Sequence, residues 1–436
     1  MKLKRNQKIE LGNQRHLIVK DLLGVGGQGE VYKVEVDGKD YALKIYIDDV
    51  SSDFKYNLRN NIARRSPSPS FLWPLEYVEV DEDSIGYLMH IRPSNYESFV
   101  SFLNGKVKFK DTNTLITWCI ELCSSFKKLH EKGFSYQDLN DGSFFLDPSD
   151  GSLLICDNDN VTADKKNLGV LGKMKYMAPE IVRGDINKLT GEPQMPDTHS
   201  DRFSLAIILF MALCLGNPFE GARLKDYDII DETAEMEIYG TKPIFVYHKF
   251  DKTNRPIRGY HTSLLRRWAY LPIYVKEAFH RTFVDGLNDR ENQRTTELEW
   301  IRCLSKYRDE LISCKCGYQY PYGEEEKVRL KNCPSCNAKT RDILRLKIGK
   351  NTILLEPNKY LYKHHLDKYS DEYNYPMAKV IASKKDPSKW GIKLRLENDV
   401  IITDQTGVSK NIDKEGVIPI IKNLKIQFKD ILATIE

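Results

Sequence analysis

The chain has 436 residues, which is longer than one ordinary hydrophobic core accommodates, so roughly two or three domains are expected. Apolar residues make up 41% and charged residues 29%, as in soluble globular proteins, and a net charge of +4 does not by itself indicate nucleic-acid binding. No stretch approaches the ~20 apolar residues of a membrane span, and no apolar segment follows the charged N-terminus as a secretory signal would require.

Residues 17–89 are rich in strand patterns. Two alternating apolar runs flank Asp37-Gly38, a pair typical of a hairpin turn, and a helix is predicted over residues 54–64. We therefore expect a twisted antiparallel sheet with one short helix at the start of the chain.

A glycine-rich segment joins two of these strands, with the sequence Gly24-Val25-Gly26-Gly27-Gln28-Gly29-Glu30-Val31. Because a strand follows it and not a helix, the context favours a loop that covers nucleotide phosphates over a dinucleotide-binding turn, with a simple glycine-rich turn as the alternative. Glycines let the backbone approach phosphates closely and present its N–H groups to them. Ala42-Leu43-Lys44 follows on the next strand, and Lys44 either faces this loop or lies exposed on the surface.

Two acidic motifs lie one predicted hairpin apart: Tyr136-Gln137-Asp138-Leu139-Asn140 and Ile155-Cys156-Asp157-Asn158-Asp159-Asn160. Phosphoryl transfer needs one carboxylate to receive the substrate's hydroxyl proton and another to hold magnesium against the nucleotide phosphates. Asp138 and Asp157 are spaced for these tasks, because apolar runs at residues 144–147 and 153–156 predict a hairpin that fixes the distance between them. Taken alone, each aspartate could equally be a turn or cap residue.

Residues 112–308 show helical patterns. Asp201 opens an almost wholly apolar run, which predicts a buried helix with Asp201 as its N-terminal cap, binding N–H groups beneath the loop that carries Asp138. Upstream lies Met177-Ala178-Pro179-Glu180, which resembles the end of a protein kinase activation segment. That resemblance implies that Glu180 pairs with a later arginine, and Arg294 is placed for this role.

In this order, the motifs resemble those of the protein kinase superfamily over residues 17–308. Further segments are similar to bacterial kinase-like proteins that accompany a von Willebrand-type domain protein and a metal-dependent protein phosphatase, often in tellurite-resistance or stress operons. These segments are Gly26-Gly27-Gln28-Gly29-Glu30-Val31-Tyr32, Ala42-Leu43-Lys44, Phe71-Leu72-Trp73-Pro74-Leu75, Cys156-Asp157-Asn158-Asp159-Asn160-Val161, Tyr176-Met177-Ala178-Pro179-Glu180-Ile181-Val182-Arg183-Gly184 and Asn254-Arg255-Pro256. Members of that family can carry a cysteine knuckle and a forkhead-associated-like sandwich behind the kinase domain.

The resemblance implies an α+β fold, with a bilobal kinase-like domain followed by a zinc knuckle and a small all-β sandwich. The expected domains are a sheet-rich N-lobe at 1–95, a helical C-lobe at 96–308, the knuckle at 309–341 and the sandwich at 342–436. It implies ATP with Mg²⁺ or Mn²⁺, Asp138 and Lys44 as catalytic residues, and Asp157 as a magnesium ligand. The implied nucleotide-site residues are Gly24, Val25, Gly26, Gly27, Gln28, Gly29, Val31, Ala42, Lys44 and Ser143.

Several residues depart from the family pattern. The usual His-Arg pair is Tyr136-Gln137, so an activation-loop phosphate has no arginine to bind, and residues 161–177 offer only Thr162 as an acceptor. The predicted helix at residues 54–64 contains no glutamate to pair with Lys44. Because that ion pair positions the lysine in an active kinase, its absence argues against ordinary activity.

Other departures concern the metal and the proton acceptor. Ser143 replaces the asparagine that binds the second magnesium, and its hydroxyl is a weaker ligand. Asp159 replaces a glycine, and it either supplies an extra magnesium ligand or faces solvent. Asn140 replaces the usual lysine, and Lys173 either reaches back to Asp138 in its place or is a surface lysine.

Four of the nine cysteines form two close pairs: Cys314, Cys316, Cys333 and Cys336. Four thiolates in such pairs can surround a structural Zn²⁺ tetrahedrally, with free thiols as the alternative. The pairing suits metal binding in a reducing cytoplasm better than a disulfide framework. The remaining five cysteines lie in apolar patterns and are interpreted as reduced core residues.

Short β-type runs separated by glycines continue from residue 344 to residue 428 and predict the sandwich. It lacks the serine and histidine arrangement that reads phosphothreonine in forkhead-associated domains. His364 and His365 lie in a polar stretch and are expected at the surface. Partner docking or contact with the kinase lobe is the expected role of this region.

The leading hypothesis is an atypical, cytoplasmic bacterial serine/threonine kinase that transfers the ATP γ-phosphate to a protein, such as either operon partner. The alternative is a nucleotide-binding pseudokinase scaffold that acts through its C-terminal modules. It is favoured by Tyr136, Gln137 and Ser143 and by the missing helix glutamate. A small-molecule phosphotransferase is disfavoured by Ala178-Pro179-Glu180, which belongs to a peptide-substrate platform. No nucleic-acid or membrane partner is expected.

Overall fold

A computed structural model describes residues 3–12, 14–81, 84–166, 168, 172–187, 190–323, 330–367, 369–395 and 400–436. The chain divides into two compact units. The first comprises Met1–Lys108, Leu122–Leu265 and Phe279–Glu297, and the second comprises Phe109–Glu121, Arg266–Ala278 and Leu298–Glu436. Within the described ranges, no helix combines the length and the apolar character that crossing a membrane requires.

The first unit begins with a six-stranded antiparallel sheet in the order β1-β2-β3-β4-β6-β5, as the alternating runs predict. Its strands are β1 Lys8–Glu10, β2 His16–Val25, β3 Gly29–Val36, β4 Lys39–Tyr46, β5 Glu76–Glu79 and β6 Ile85–Met89. Helix α1, Ser52–Arg64, begins after Ser51, whose hydroxyl accepts a hydrogen bond from the Phe54 amide at 3.1 Å. The buried side chains of Phe54 and Leu58 join the apolar cluster on one face of this sheet.

Residues 97–309 are mainly helical. The helices are α2 Phe99–Leu103, α3 Thr112–Glu131, α4 Pro179–Val182, α5 Thr198–Cys214, α6 Glu232–Glu235, α7 Thr262–Tyr270, α8 Ile273–Phe283 and α9 Glu297–Asp309. Between them lie the short strands β7 Glu97–Ser98, β8 Phe134–Ser135, β9 Phe144–Leu146, β10 Leu153–Ile155 and β11 Thr162–Ala163. Strands β9 and β10 form the predicted hairpin, with Phe144 opposite Ile155.

Helix α5 is buried nearly all round, as its apolar sequence predicts. Its N-cap is Asp197, whose carboxylate accepts hydrogen bonds from the amides of His199 at 3.0 Å and Ser200 at 2.9 Å. The prediction that Asp201 caps this helix is therefore wrong. Thr198, His199 and Ser200 already belong to the first turn of α5, so Asp201 lies within the helix and not at its N-cap position.

The second unit ends in an almost wholly β region. A hairpin of β12 Leu311–Ser313 and β13 Gln319–Pro321 comes first. Two sheets follow, in the orders β15-β14-β23-β22-β19-β20 and β16-β17-β18-β21. Their elements are β14 Arg345–Ile348, β15 Asn351–Leu354, β16 Tyr360–Tyr362, α10 Lys363–Leu366, β17 Pro376–Ala382, β18 Trp390–Leu394, β19 Val400–Thr403, β20 Ser409–Ile412, β21 Val417–Pro419, β22 Lys425–Phe428 and β23 Ile431–Ile435. Side chains of both sheets share one apolar core, as a sandwich requires.

His365 contradicts the expectation of a surface position, because it is only 2% exposed. Its Nε2 lies 2.9 Å from Oδ2 of Asp309 at the end of α9, and its Nδ1 accepts a hydrogen bond from the Tyr362 amide at 3.1 Å. The Arg308 guanidinium lies over the Tyr362 ring, 3.6 Å from its centroid. Within the second unit, the sandwich is therefore tied to the end of α9 by buried polar contacts.

Candidate active site and cysteine cluster

The glycine-rich loop is the exposed turn of the β2–β3 hairpin. The Gly26 amide donates to the Gly29 carbonyl at 2.8 Å and closes the turn. Gly29 is required by a close approach of two strands, because a Cβ there would lie 2.2 Å from the Ile45 carbonyl oxygen. Beside Gly24 and Gly27 there is open space instead. A phosphate chain could therefore approach this turn.

Lys44 lies on β4 and is buried, opposite Val31 of β3. Its Nζ lies 2.8 Å from Oδ2 of Asp159 and 3.5 Å from Oδ1 of Asp157. Burial alone would lower the pKa of Lys44, but the two carboxylates outweigh it and raise that pKa. Lys44 is thus a buried cation, and the alternative of an exposed surface lysine is wrong. Ala42, also buried, lies two residues earlier on the same strand face.

The catalytic loop, defined as residues 136–143, holds Asp138 half-buried. Burial raises the pKa of Asp138, while the Asn140 amide, which donates to Asp138 Oδ1 at 3.2 Å, and the charge of Lys173 lower it in part. The Lys173 ammonium lies 3.4 Å from Oδ1 of Asn140 and 4.0 Å from Oδ1 of Asp141. Lys173, whose side chain is 60% exposed, therefore approaches Asp138 through these neighbours.

The metal-binding loop, defined as residues 156–160, presents its two aspartates differently. The Asp157 side chain is 53% exposed, while that of Asp159 is 0% exposed. Oδ2 of Asp159 accepts hydrogen bonds from Lys44 and from the Tyr46 hydroxyl. Burial raises the pKa of Asp159, but Lys44 and Tyr46 lower that pKa by more. The net pKa is below its ordinary value, so this carboxylate is ionised at neutral pH. The alternative that Asp159 faces solvent is wrong.

Ser143 is also buried, at 1% exposure. Its carbonyl accepts from the Cys156 amide at 2.9 Å, which joins the catalytic loop to the metal-binding loop. Its hydroxyl lies beside that of Tyr136. The role of Ser143 as a second metal ligand stays a prediction.

Tyr136 and Gln137 replace the usual His-Arg pair with other hydrogen bonds. The buried Tyr136 hydroxyl donates to the carbonyl of Cys156. The Gln137 side-chain amide donates to the Thr162 hydroxyl and to the Lys166 carbonyl. Because Thr162 is only 1% exposed, the sole acceptor expected in the activation segment is not accessible in this conformation.

Asp201 binds backbone N–H groups beneath the catalytic loop, as predicted. Its carboxylate accepts from the amides of Tyr136 at 2.6 Å and Gln137 at 3.2 Å. His130 of α3 bridges Asp201, at 3.1 Å, and Glu297, at 2.9 Å. Burial would lower the pKa of His130, but the two carboxylates raise it to about 9, so the imidazole is charged at neutral pH.

The predicted pair of Glu180 and Arg294 is confirmed. Two guanidinium nitrogens of Arg294 lie 2.8 Å and 2.7 Å from the two carboxylate oxygens of Glu180. Burial raises the pKa of Glu180, but Arg294 lowers it by more. This bidentate pair anchors the end of the activation segment.

Two functional residues were missed from the sequence, Tyr46 and His130. Tyr46 had a usable signal, because residues two apart on a strand share a face, and Lys44 lies two residues before it. His130 had none. Its partners Asp201 and Glu297 are far away in the sequence, and only the fold brings them together.

The four clustered cysteines of the second unit come together. Sγ of Cys314 lies 3.5 Å from that of Cys336, and Sγ of Cys316 lies 3.8 Å from that of Cys333. All four sulfur atoms lie within 4.8 Å of one another. Four thiolates at ~2.3 Å from one zinc ion would be ~3.8 Å apart, so the cluster fits tetrahedral zinc. The Tyr318 amide lowers the pKa of the Cys316 thiol to about 7. The Ala338 amide lowers the pKa of Cys336, but the neighbouring thiols raise it to about 12, so without a metal the cluster shares its protons unevenly.

The family model of the protein kinase domain matches residues 17–296. A solved structure that is similar to this chain is the autoinhibited serine kinase domain of the giant muscle protein titin. It shares 14% sequence identity, the match covers 69% of this chain and 83% of that chain, and the TM-score is 0.49. A search of curated proteins found no match. The family model matches more than half of the residues of this chain, and the chain therefore belongs to the protein kinase family.

Proposed function

We propose that this protein is an active serine/threonine kinase that transfers the γ-phosphate of ATP to a partner protein. The observation that carries the proposal is the convergence of Lys44, Asp138 and Asp157. Lys44 contacts Asp157, and the charge of Asp157 contributes to raising the pKa of Asp138. Protein kinases need these three groups together.

In the proposed reaction, Asp138 accepts the proton of a serine or threonine hydroxyl. The hydroxyl oxygen forms a bond to the γ-phosphorus, while the bond from that phosphorus to the bridging oxygen breaks and the electron pair leaves with ADP. The raised pKa of Asp138 suits a proton acceptor, because the half-buried carboxylate binds the proton more firmly than an exposed one. The Asn140 amide donates a hydrogen bond to Asp138, and the Lys173 ammonium donates one to Asn140 and so places a positive charge near Asp138.

Kinase domains generally use magnesium, and the residues here fit it. The exposed Asp157 carboxylate would hold the ion, which neutralises phosphate charge when bound. Lys44 would contact the α- and β-phosphates, and the amides of Gly24 to Gly29 would cover them. Ser143 and Asp159 are both buried, so we propose Asp157 as the principal ligand.

The altered residues support activity because their side chains take over the contacts of the usual ones. Tyr136 bonds to the metal-binding loop in place of a histidine, and Gln137 binds the activation segment without a phosphate. We infer a kinase that needs no activation-loop phosphorylation.

We also propose that Cys314, Cys316, Cys333 and Cys336 hold a structural Zn²⁺. Four protein ligands close the coordination shell, so this ion would stabilise the second unit and leave no position for a substrate. The sulfur separations of 3.5 Å and 3.8 Å support this assignment.

The biological setting is part of the proposal. A cytoplasmic bacterial protein is proposed, with a von Willebrand-type domain protein or a metal-dependent phosphatase of the same operon as substrate or partner. The β-sandwich is proposed to be forkhead-associated-like and to dock such a partner. The segments that resemble that kinase-like family, such as residues 26–32 and 156–161, support these statements.

A nucleotide-binding scaffold without transfer is the second candidate. The observation in its favour is that both loop carboxylates contact the one amine of Lys44, and a second metal ligand at Ser143 is buried. In a scaffold, nucleotide binding would change the conformation of the domain, and the second unit would act on partners.

Incubation with labelled ATP and magnesium or manganese separates the two candidates. The protein is tested alone and with the products of neighbouring genes, beside an Asp138→Asn variant. Label transfer that disappears in the variant supports the kinase. Thermal stabilisation by nucleotide without transfer, under either metal, supports the scaffold and contradicts the kinase.

A further inference from the structure

Helix α1 supplies no carboxylate partner to Lys44. The acidic residue of α1 is Asp53, which is exposed. The face of α1 that joins the sheet cluster carries Phe54 and Leu58. A buried ammonium with no carboxylate would be costly, so another element must supply one.

The metal-binding loop supplies it. Asp159 is fully buried, with Oδ2 2.8 Å from Nζ of Lys44. Tyr46, on the same strand face as Lys44, donates its hydroxyl to the same oxygen. One carboxylate oxygen therefore serves two donors from β4, and the lysine is fixed by a hydrogen-bonded ion pair.

We propose that Asp159 is the positioning residue of this kinase and replaces the helix glutamate as the partner of Lys44. This assignment rests on the proposed nucleotide site but not on phosphate transfer. It differs from a magnesium-ligand role, because the carboxylate acts on nucleotide through Lys44. Asp157, two residues earlier, remains exposed for the metal.

Helix α1 contacts the chain just after the metal-binding loop. Asn57 and Asn61 each donate an amide hydrogen bond to the Val161 carbonyl, at 2.8 Å and 2.7 Å. The helix therefore holds the chain just after the metal-binding loop, but it contributes no charge to Lys44. Lys44 is therefore paired by the same loop that carries the proposed metal ligand, Asp157.

A double-mutant cycle on nucleotide binding tests the assignment. The affinity of a fluorescent ADP analogue, with magnesium, is measured by titration for the wild-type chain, Asp159→Asn, Lys44→Met and the double variant. If Asp159 acts through Lys44, Asp159→Asn weakens binding about tenfold in the wild-type background, a typical coupling between contacting residues. In the Lys44→Met background the same change has less than about a twofold effect.

Two further variants sharpen the result. Asp147→Asn changes another buried aspartate, which bonds to Asn95 and Ser149, and should leave analogue affinity unchanged. Tyr46→Phe removes one donor but keeps the carboxylate, and should weaken binding by less than Asp159→Asn.

An equal loss in both backgrounds would overturn the proposal, since Asp159 would then act on nucleotide or metal directly. Unchanged affinity in Asp159→Asn would also overturn it. If Asp159→Asn alone does not fold, thermal unfolding of the double variant decides. If the double variant regains a cooperative unfolding transition, the result supports a charge pair between Asp159 and Lys44. If the double variant also stays unfolded, the result contradicts that pair. Because binding is the readout, the outcome does not depend on whether the protein transfers phosphate.

Discussion

The Tyr136 hydroxyl donates a hydrogen bond to the main-chain carbonyl of Cys156, the residue just before Asp157. Tyr136 is 0% exposed, and its amide is held by Asp201. The two loops that carry the acidic residues are therefore joined by a buried side chain. Tyr136 therefore joins the loops through an uncharged hydroxyl, at a position where the kinase pattern has a histidine.

Replacing Tyr136 by phenylalanine should loosen this connection. The change leaves the Cys156 carbonyl without its donor, so we expect a loss of about 1–2 kcal/mol in the free energy of unfolding. Phosphate transfer should fall several-fold because the Asp138 to Asp157 distance is less well fixed. Chemical denaturation and initial rates measure both effects. Tyr56→Phe is the control, because Tyr56 is 69% exposed. Equal stability and rate in Tyr136→Phe and the control would contradict the role.

Gln137 should make activity independent of activation-segment phosphorylation. Its amide binds Thr162 and the Lys166 carbonyl directly, and Thr162 is buried. We expect phosphatase treatment of the purified protein to leave its transfer rate unchanged. Gln137→Ala should instead speed hydrogen exchange of the amides around Thr162. Gln405→Ala, in the sandwich, should not affect that exchange. A rate abolished by phosphatase would refute the prediction.

His130 should give the first unit a pH-dependent stability. The ordinary pKa of a histidine is 6.5. In the folded protein the pKa of His130 is raised to about 9 because the imidazole lies between the carboxylates of Asp201 and Glu297. A raised folded pKa means that the contribution is complete below pH 6.5 and is lost as the pH rises through about 9. Arg202 also contacts Glu297, at 2.8 Å, and keeps that carboxylate ionised throughout this range.

The comparison of wild type with His130→Gln measures this contribution. The difference in unfolding free energy should be largest near pH 6, on the order of 2–3 kcal/mol, and shrink towards pH 9.5. Urea denaturation across this pH range supplies the values. A difference that is constant with pH would show that His130 acts only through its shape.

Zinc removal should destabilise the second unit. We expect one zinc ion per chain by elemental analysis, lost in Cys336→Ser but kept in Cys303→Ala, which lies outside the cluster. A strong chelator should lower the melting temperature of this unit by about 5 °C or more. Metal-free protein with an unchanged melting temperature would contradict the assignment.

Local patterns predicted much of the fold. Alternation and glycine turns predicted the first sheet, two apolar runs predicted the β9–β10 hairpin, and the kinase-like motif around Glu180 predicted its pairing with Arg294. The N-terminal cap of α5 was missed because two aspartates, Asp197 and Asp201, lie about one turn apart, and the sequence does not say which of them occupies the N-cap position.

Other long-range partners could not be predicted from the sequence. Asp159 can be buried because it pairs with Lys44, which is distant along the chain. The sequence alone therefore does not distinguish an exposed loop aspartate from one buried in an ion pair. His365 was misplaced for the same reason, because the carboxylate that satisfies it belongs to Asp309. Burial of a charged or polar group becomes favourable only when its partner is present.

The most direct test of the central claim is the turnover number of wild type and Asp138→Asn at saturating ATP and magnesium, with the nucleotide dissociation constant measured for both. Removal of the proton acceptor should lower the turnover number by ~100-fold or more, while nucleotide affinity stays within about twofold, because Lys44 and Asp157 are untouched. Equal turnover in the two proteins, or no turnover in the wild type with any metal or partner, would contradict the account.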